Sequence, residues 1–195
     1  MRSWLCVLLY IVALSNAMPT QRTVAVTGAT GNLGRAAVQI LAQRGVSVRV
    51  LARHRATPDT KPSLAADASK AQVLKQLAAL PGVVLIPGDV TDRASLNALL
   101  HSADAVLACH GARRNRRLSD IFRDPSDEPT HSKQVNYVGV QNLIDAAQAS
   151  GTCNRIVRVT GKGEAPWSLF SILINLFGSM AKAWNNEGER LLRDS

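Results

Sequence analysis

The chain has 195 residues, a length that favours one domain. Its 46% apolar and 19% charged residues describe a packed globular protein and exclude a disordered, collagen-like or coiled-coil chain. Lysines and arginines outnumber acids by 23 to 14, and the resulting formal charge of +9 favours anionic partners: phosphates, nucleic acid or an acidic membrane surface. Three cysteines, Cys6, Cys109 and Cys153, are too widely and irregularly spaced for a metal site or a disulfide framework, so no metal is expected.

Trp4 to Leu14 is an uninterrupted apolar run, preceded by Arg2 and followed by the small-residue segment Ser15-Asn16-Ala17. This is the anatomy of a secretory signal peptide over 1–17, and the run is too short to cross a bilayer. A buried first strand or an N-terminal anchor is the alternative. The expected destination is the secretory pathway or the plastid of an alga with complex plastids. The second route needs a transit peptide, for which only Met18 to Arg22 is available. The remaining domain is expected over 22–195.

Thr23 to Thr27 is a β-prone run that ends at Gly28. Residues 32–44 read as a helix with Leu33, Ala37, Ile40 and Leu41 on its apolar face, closed by Gly45. Val46 to Leu51 reads as a second strand. A loop with Pro58 and Pro62 leads to a helix over 67–79, where Val73, Leu74 and Leu77 are in phase. Val83 to Ile86 is a third strand. A helix over 92–101 follows, with Asp92 near its start and Leu96, Leu99 and Leu100 inward. Ala105 to Ala108 is a fourth strand, and the polar stretch 111–130 is a loop. Residues 132–149 form the strongest helical pattern, with Val140, Leu143, Ile144 and Ala147 on one face and Gly151 as the stop. Ile156 to Val159 is the fifth strand. Strands alternating with helices predict an α/β fold with a doubly wound parallel sheet of about five strands, in the order 3-2-1-4-5.

The first strand runs into Thr27-Gly28-Ala29-Thr30-Gly31-Asn32-Leu33-Gly34-Arg35. Gly28 permits a tight turn, Gly31 lets the backbone approach a diphosphate, and Gly34 lets the helix pack close to the sheet. The helix N-terminus offers free N–H groups and a partial positive charge to phosphates. The loop therefore predicts a dinucleotide site. Proteins that bind NAD place an acid about 20 residues further on, for the ribose 2′-hydroxyl. No acid stands between Gly28 and Pro58; Arg53-His54-Arg55 stands there instead. Arg53 and Arg55 suit a 2′-phosphate, so NADP(H) is favoured over NAD(H).

With these residues in view, the sequence resembles the atypical short-chain dehydrogenases/reductases. Within them it is similar to the NmrA-like branch and to the NAD(P)-binding domain of a plastid translocon component. Residues 27–35 match that branch's TGATGxxGR loop, and Gly88-Asp89-Val90-Thr91-Asp92 matches its GD(V/L)xD motif. The resemblance implies a Rossmann-type NAD(P)-binding domain in which Asp89 and Val90 border the adenine. Ala103-Asp104-Ala105-Val106 matches the family's ADAV segment, which implies that Cys109, His110 and Gly111 lie beside the coenzyme ribose. Thr160 falls at the family's usual serine position, the one residue to which the resemblance gives a catalytic role.

The departures bear on mechanism. Reductases of this superfamily use a Tyr and a Lys four residues later on the helix after strand five. Aligned on Trp184 and Glu189, this chain has Ala181 and Asn185 there, with Lys182 out of register. A missing general acid forfeits roughly 10²–10⁴-fold in rate. The expectation is an NADP(H)-binding sensor or scaffold with weak or no reductase activity. The alternative is an NADPH-dependent oxidoreductase with a non-standard proton donor. The family continues into a sixth strand and a substrate-covering region; with the sequence ending at Ser195, strand five is expected to form an edge. The arginine cluster Arg113-Arg114-Asn115-Arg116-Arg117 lacks interleaved aromatics and reads as a solvated loop, with a protein or membrane-surface contact as the alternative, so nucleic acid is not an expected partner. The apolar segment 168–178 reads as a helix on the sheet, or with the strand-five edge as a surface for a protein partner.

Overall fold

β-Branched runs bounded by glycine and turn residues give five strands: β1 (Thr23–Thr27), β2 (Ser47–Ala52), β3 (Val83–Pro87), β4 (Ala105–Ala108) and β5 (Arg155–Arg158). All pair in parallel, in the order β3-β2-β1-β4-β5, as the alternation predicts. The helices are α1 (Asn32–Gln43), α2 (Leu64–Ala78), α3 (Arg93–Leu100), α4 (Gly139–Ser150) and α5 (Ala181–Arg193). A computed structural model describes residues 22–53, 64–112, 126–160 and 180–195. The expected signal segment, His54 and Arg55, the arginine cluster and the apolar segment 168–178 lie outside the described residues.

Alternation along each strand sends successive side chains to opposite faces. One layer joins Val26, Val48 and Val50 of the sheet to Val38 of α1 and Leu77 of α2. The other joins Ala25 and Val106 to Leu96, Leu99 and Leu100 of α3 and to Leu143 of α4. The inward faces expected for the second, third and fourth helices are the ones observed. Arg49 of β2 reaches across to the end of α3, where its Nε donates to Leu99 O (2.8 Å) and its Nη2 to Ala98 O (2.8 Å). A cation at helix carbonyls is favoured there by the macrodipole.

Two local features differ from the sequence reading. In α1 the buried stripe is Gly34, Val38 and Ala42, while Leu33 and Ile40 are 52% and 48% exposed. A stripe of small residues lets the helix approach the sheet more closely than the bulkier face allows. Before α4 the chain makes a π-helical turn, Gln134–Val138, inside what the periodicity reads as one helix. The extra residue turns Val135 and Asn136 inward together, and both are buried.

Candidate functional site

Gly28 leaves β1 at φ +73°, in the left-handed region. A Cβ there would stand 2.5 Å from the Cys109 carbonyl oxygen and 2.6 Å from His110 N, so the exits of β1 and β4 touch through main chain. Gly31 N donates to Gly28 O at 3.0 Å and closes the loop. A Cβ on Gly31 would meet only Gly28 O, at 3.3 Å. Gly34 faces back into the loop, where a Cβ would lie 2.8 Å from the Gly28 carbonyl carbon and 2.9 Å from Ala29 Cα. The tight turn expected at Gly28 and the close approach of the helix expected at Gly34 are both present.

Gly31 caps α1 without a side-chain hydrogen bond, and the first turn holds no acid. The N–H groups of Asn32, Leu33 and Gly34 have no acceptor among the described residues. α3 is the contrast: Asp92 caps it, accepting from Ala94 N and Ser95 N (3.1 Å each) and from Ser95 Oγ. Those bonds, the Ser95 hydroxyl foremost, hold the Asp92 carboxyl below the usual range. The α1 terminus, by comparison, has no side-chain acceptor for its donors among the described residues, an arrangement that suits an anion. Thr30 is half-buried in the loop, and Arg35 is half-buried in the first turn of α1.

Arg53 follows β2 and Asp89 follows β3, so both stand at the same end of the sheet. Arg53 Nε lies 3.7 Å from Asp89 Oδ2, while Asp89 Oδ1 accepts from Thr91 N and Thr91 Oγ1 at 3.0 Å each. Val90 is buried beneath Gly139, whose added Cβ would be 3.0 Å from Val90 Cγ2. Asn142 Nδ2 donates to Val90 O (3.3 Å) and Thr91 O (3.2 Å), which ties this loop to α4.

At the exit of β4, Cys109 N donates to Thr27 O at 3.1 Å, and burial raises the thiol pKa. His110 Nδ1 is 2.7 Å from Thr27 Oγ1. Burial above all pushes the His110 pKa down to about 4; the Arg158 and Arg53 charges push the same way and Asp89 opposes them. The ring is therefore neutral at pH 7. Gly111 is exposed, and the next residue, Ala112, donates its N–H to Asn136 Oδ1 at 3.0 Å. Thr160, half-buried, lies two residues past β5.

Asn136 links segments that the sequence reading kept apart. Its Nδ2 donates to Ala181 O at 3.4 Å, and its own carbonyl accepts from Arg158 Nη1 at 3.1 Å. Arg158 Nη2 donates to Asn185 Oδ1 at 2.7 Å, and burial lowers the Arg158 pKa to about 10. Gly188 packs so closely that a Cβ would overlap both Asn136 O and Arg158 Nη1. Tyr137, the one tyrosine of the expected domain, packs against Trp184 with ring centroids 5.8 Å apart. Asn136, Arg158 and Asn185 are absent from the residues singled out for coenzyme or catalysis in the sequence. Their available signal was Arg158 on the inward parity of β5, alternate with Ile156. No group of three or more potential metal ligands occurs among the described residues.

A glycine loop joins the central strand to a helix with free N-terminal donors. The exits of β2, β3 and β4 gather at the same end of the sheet, where the strand order reverses. This is a Rossmann-type α/β domain, and its switch point lies between β1 and β4. A family model described as NAD(P)H-binding matches residues 28–195, and the chain belongs to that family. Among solved structures it is similar to Pen from Bacillus thuringiensis, at 18% identity and a TM-score of 0.62, over 88% of this chain and 44% of that one. It is also similar to an isoflavone reductase, at 19% identity and a TM-score of 0.52, over 87% and 47% of the two chains. A short-chain dehydrogenase/reductase from Veillonella parvula matches at 12% identity and a TM-score of 0.56, over 90% and 65%. At these identities the likeness is one of fold, and the chain spans less than two thirds of each neighbour. No curated protein matches it.

Proposed function

We propose that this NAD(P)-binding protein holds NADP(H) in preference to NAD(H), and that it serves as a coenzyme-responsive sensor or scaffold with weak or no reductase activity. In this reading Gly28, Thr30, Gly31, Asn32, Leu33, Gly34 and Arg35 surround the diphosphate. Arg53 and Arg55 take the 2′-phosphate, Asp89 and Val90 border the adenine, and Cys109, His110 and Gly111 line the ribose. The coenzyme, when bound, supplies a hydride donor or acceptor. Arg53 at the end of a segment that holds no acid from Gly28 to Pro58 supports the choice of NADP(H).

The observation that carries the low-turnover reading is on α5. Ala181 is buried with its carbonyl bound by Asn136, and Asn185 is bound to Arg158, so neither position offers a proton. His110 is neutral at pH 7 and Thr160 is a poor acid, so the two exits supply hydrogen-bond donors that orient a carbonyl and no ready proton for it. An oxidoreductase that uses Thr160 with a non-standard donor is the second reading. It is favoured by the half-buried position of Thr160 at the exit of β5. Fluorescence titration with NADPH, followed by its oxidation with a panel of quinones and aldehydes, separates the two. Binding without turnover supports the sensor. Turnover lost in Thr160→Ala supports the enzyme.

A protein partner is proposed at the β5 edge, where Val157 and Val159 are 43% and 45% exposed, and along 168–178. Pull-down with a peptide of residues 166–180 tests that surface. Delivery through a signal peptide is likewise a proposal; sequencing the N-terminus of the expressed protein tests it, with Met18 as the expected first residue. No helix among the described residues is long and apolar enough to cross a membrane.

A further inference from the structure

Two nitrogens at the exits of β4 and β5, His110 Nε2 and Arg158 Nε, are shut off from solvent and have no hydrogen-bond partner among the described residues. Strand alternation puts Arg158 on the face of the sheet that Thr27 shares, and the Thr27 contact brings the His110 ring to that side. Ala108 and Arg158 are register partners, and Ala25, Ala108 and Ile156 all pack in the layer of α3 and α4. Thr27, two residues after Ala25, shares that face. Its contact with His110 Nδ1 holds the ring there.

The hydrogen-bond inventory fixes what these atoms need. Thr27 is fully buried, and His110 Nδ1 is the one partner of its hydroxyl among the described residues. Both atoms are satisfied when the hydroxyl donates to Nδ1, which leaves the ring hydrogen on Nε2. Arginine Nε always carries a hydrogen. The two orphans are therefore both donors, and buried donors without acceptors are costly.

Charge points the same way. Arg158 spends both Nη groups on neutral oxygens, Asn136 O and Asn185 Oδ1. No carboxylate touches its guanidinium among the described residues; Glu189, which acts on it from a distance, is bonded to Arg193 at 2.8 Å. With the imidazole neutral, the pair carries one positive charge without a contacting counter-ion. Buried charges of this kind are paired in folded proteins.

We propose that Arg158 and His110 together bind the carboxylate of a small organic monoacid at the exits of β4 and β5. Arg158 supplies the charge and its Nε–H, and His110 supplies Nε2–H. Asn136 and Asn185 are positioning residues that hold the guanidinium plane through its Nη groups. A dianionic phosphate would overshoot the single charge, and a neutral carbonyl would leave it unmatched. The site stands whether or not the coenzyme reading holds.

The test is calorimetric titration of the full chain with pyruvate, benzoate and cinnamate, and with the corresponding amides, with and without NADP+. At least one acid is expected to bind, with its amide roughly tenfold or more weaker. Arg158→Gln is expected to lose that acid by roughly ten- to hundredfold while keeping its NADP+ affinity. If that variant fails to fold by circular dichroism, Arg158→Lys and His110→Gln take its place, each expected to weaken the acid at least severalfold with NADP+ as the control ligand for Arg158→Lys. Equal acid affinity in wild type and variants overturns the proposal. So does a protein that binds NADP+ but none of the acids, since water then serves the two donors. Loss of NADP+ rather than acid in Arg158→Gln also overturns it, by assigning the anion to the coenzyme diphosphate. Acid binding as expected without NADP+ binding leaves this site standing and removes the coenzyme reading instead.

Discussion

Replacing Gly34 and Gly31 separately by alanine tests whether the two glycines have different jobs. At Gly34 the new methyl would press on main chain alone: 2.8 Å from the Gly28 carbonyl carbon and 2.9 Å from Ala29 Cα, with the Gly28 oxygen closer still. Ordinary contact begins near 3.4 Å, so the loop must retreat by more than half an ångström, and no side-chain rotation can relieve it. Overpacking of this kind costs about 3 kcal/mol at the upper end, offset by about 1 kcal/mol from the better helix propensity of alanine. The net loss of about 2 kcal/mol corresponds to a fall of about 4–8 °C in Tm for a domain of this size. At Gly31 the methyl meets only Gly28 O at 3.3 Å from a backbone at φ −79°, which any residue adopts. The stability loss there is expected to be at most about 1 kcal/mol, as for an N-cap exchange. Its methyl would instead stand over the free donors of α1, so NADPH affinity is expected to fall roughly tenfold or more with the loss of one charge-assisted bond. Thermal unfolding without coenzyme and fluorescence titration with NADPH read the two effects. The reasoning is refuted if Gly31→Ala lowers Tm as much as Gly34→Ala, or if Gly31→Ala binds NADPH like the wild type.

Arg53→Ala is expected to weaken NADPH roughly tenfold or more and NADH much less; equal losses in parallel titrations would reject the 2′-phosphate assignment. His110 should make the fold acid-sensitive. Its pKa falls from 6.5 in the unfolded chain to about 4 in the native protein. Between those values the unfolded chain takes up a proton that the native site refuses, so stability is full above pH 6.5 and declines by about 3 kcal/mol on the way to pH 4. His110→Gln lacks this contribution, and urea unfolding of both proteins across that range should show the shallower profile in the variant. Parallel profiles would contradict the burial argument. Asp92→Ala removes three hydrogen bonds at the start of α3 and is expected to cost about 1 kcal/mol, seen as a fall of about 2–4 °C in Tm.

The sheet order and the inward leucines Leu96, Leu99 and Leu100 were legible because alternation and 3.6-residue periodicity are set by the backbone itself. The glycine loop was legible because each glycine answers a separate steric demand at a fixed spacing. The buried face of α1 was misread because bulk was weighed over closeness of approach: Gly34, Val38 and Ala42 go in, and Leu33 and Ile40 stay out. The π-helical turn leaves no mark in the periodicity count because it precedes Val140, Leu143, Ile144 and Ala147, the residues that carry the pattern. The Thr27–His110 and Arg158–Asn136 contacts join residues 83 and 22 positions apart, so no local spacing announces them. Inward parity on β5 was the one clue to Arg158, and parity alone does not say what an inward arginine bonds to.

The main-chain contact between the exits of β1 and β4 has a thermodynamic consequence. Because Gly28 sits directly on the Cys109 and His110 backbone, the segment proposed for the diphosphate and the segment proposed for the ribose brace one another through main chain. In the proposed binding mode that contact reduces the loop ordering a nucleotide would have to impose. A substituent at Gly28 would therefore damage recognition of both halves of the ligand at once, however far apart those halves lie along the molecule.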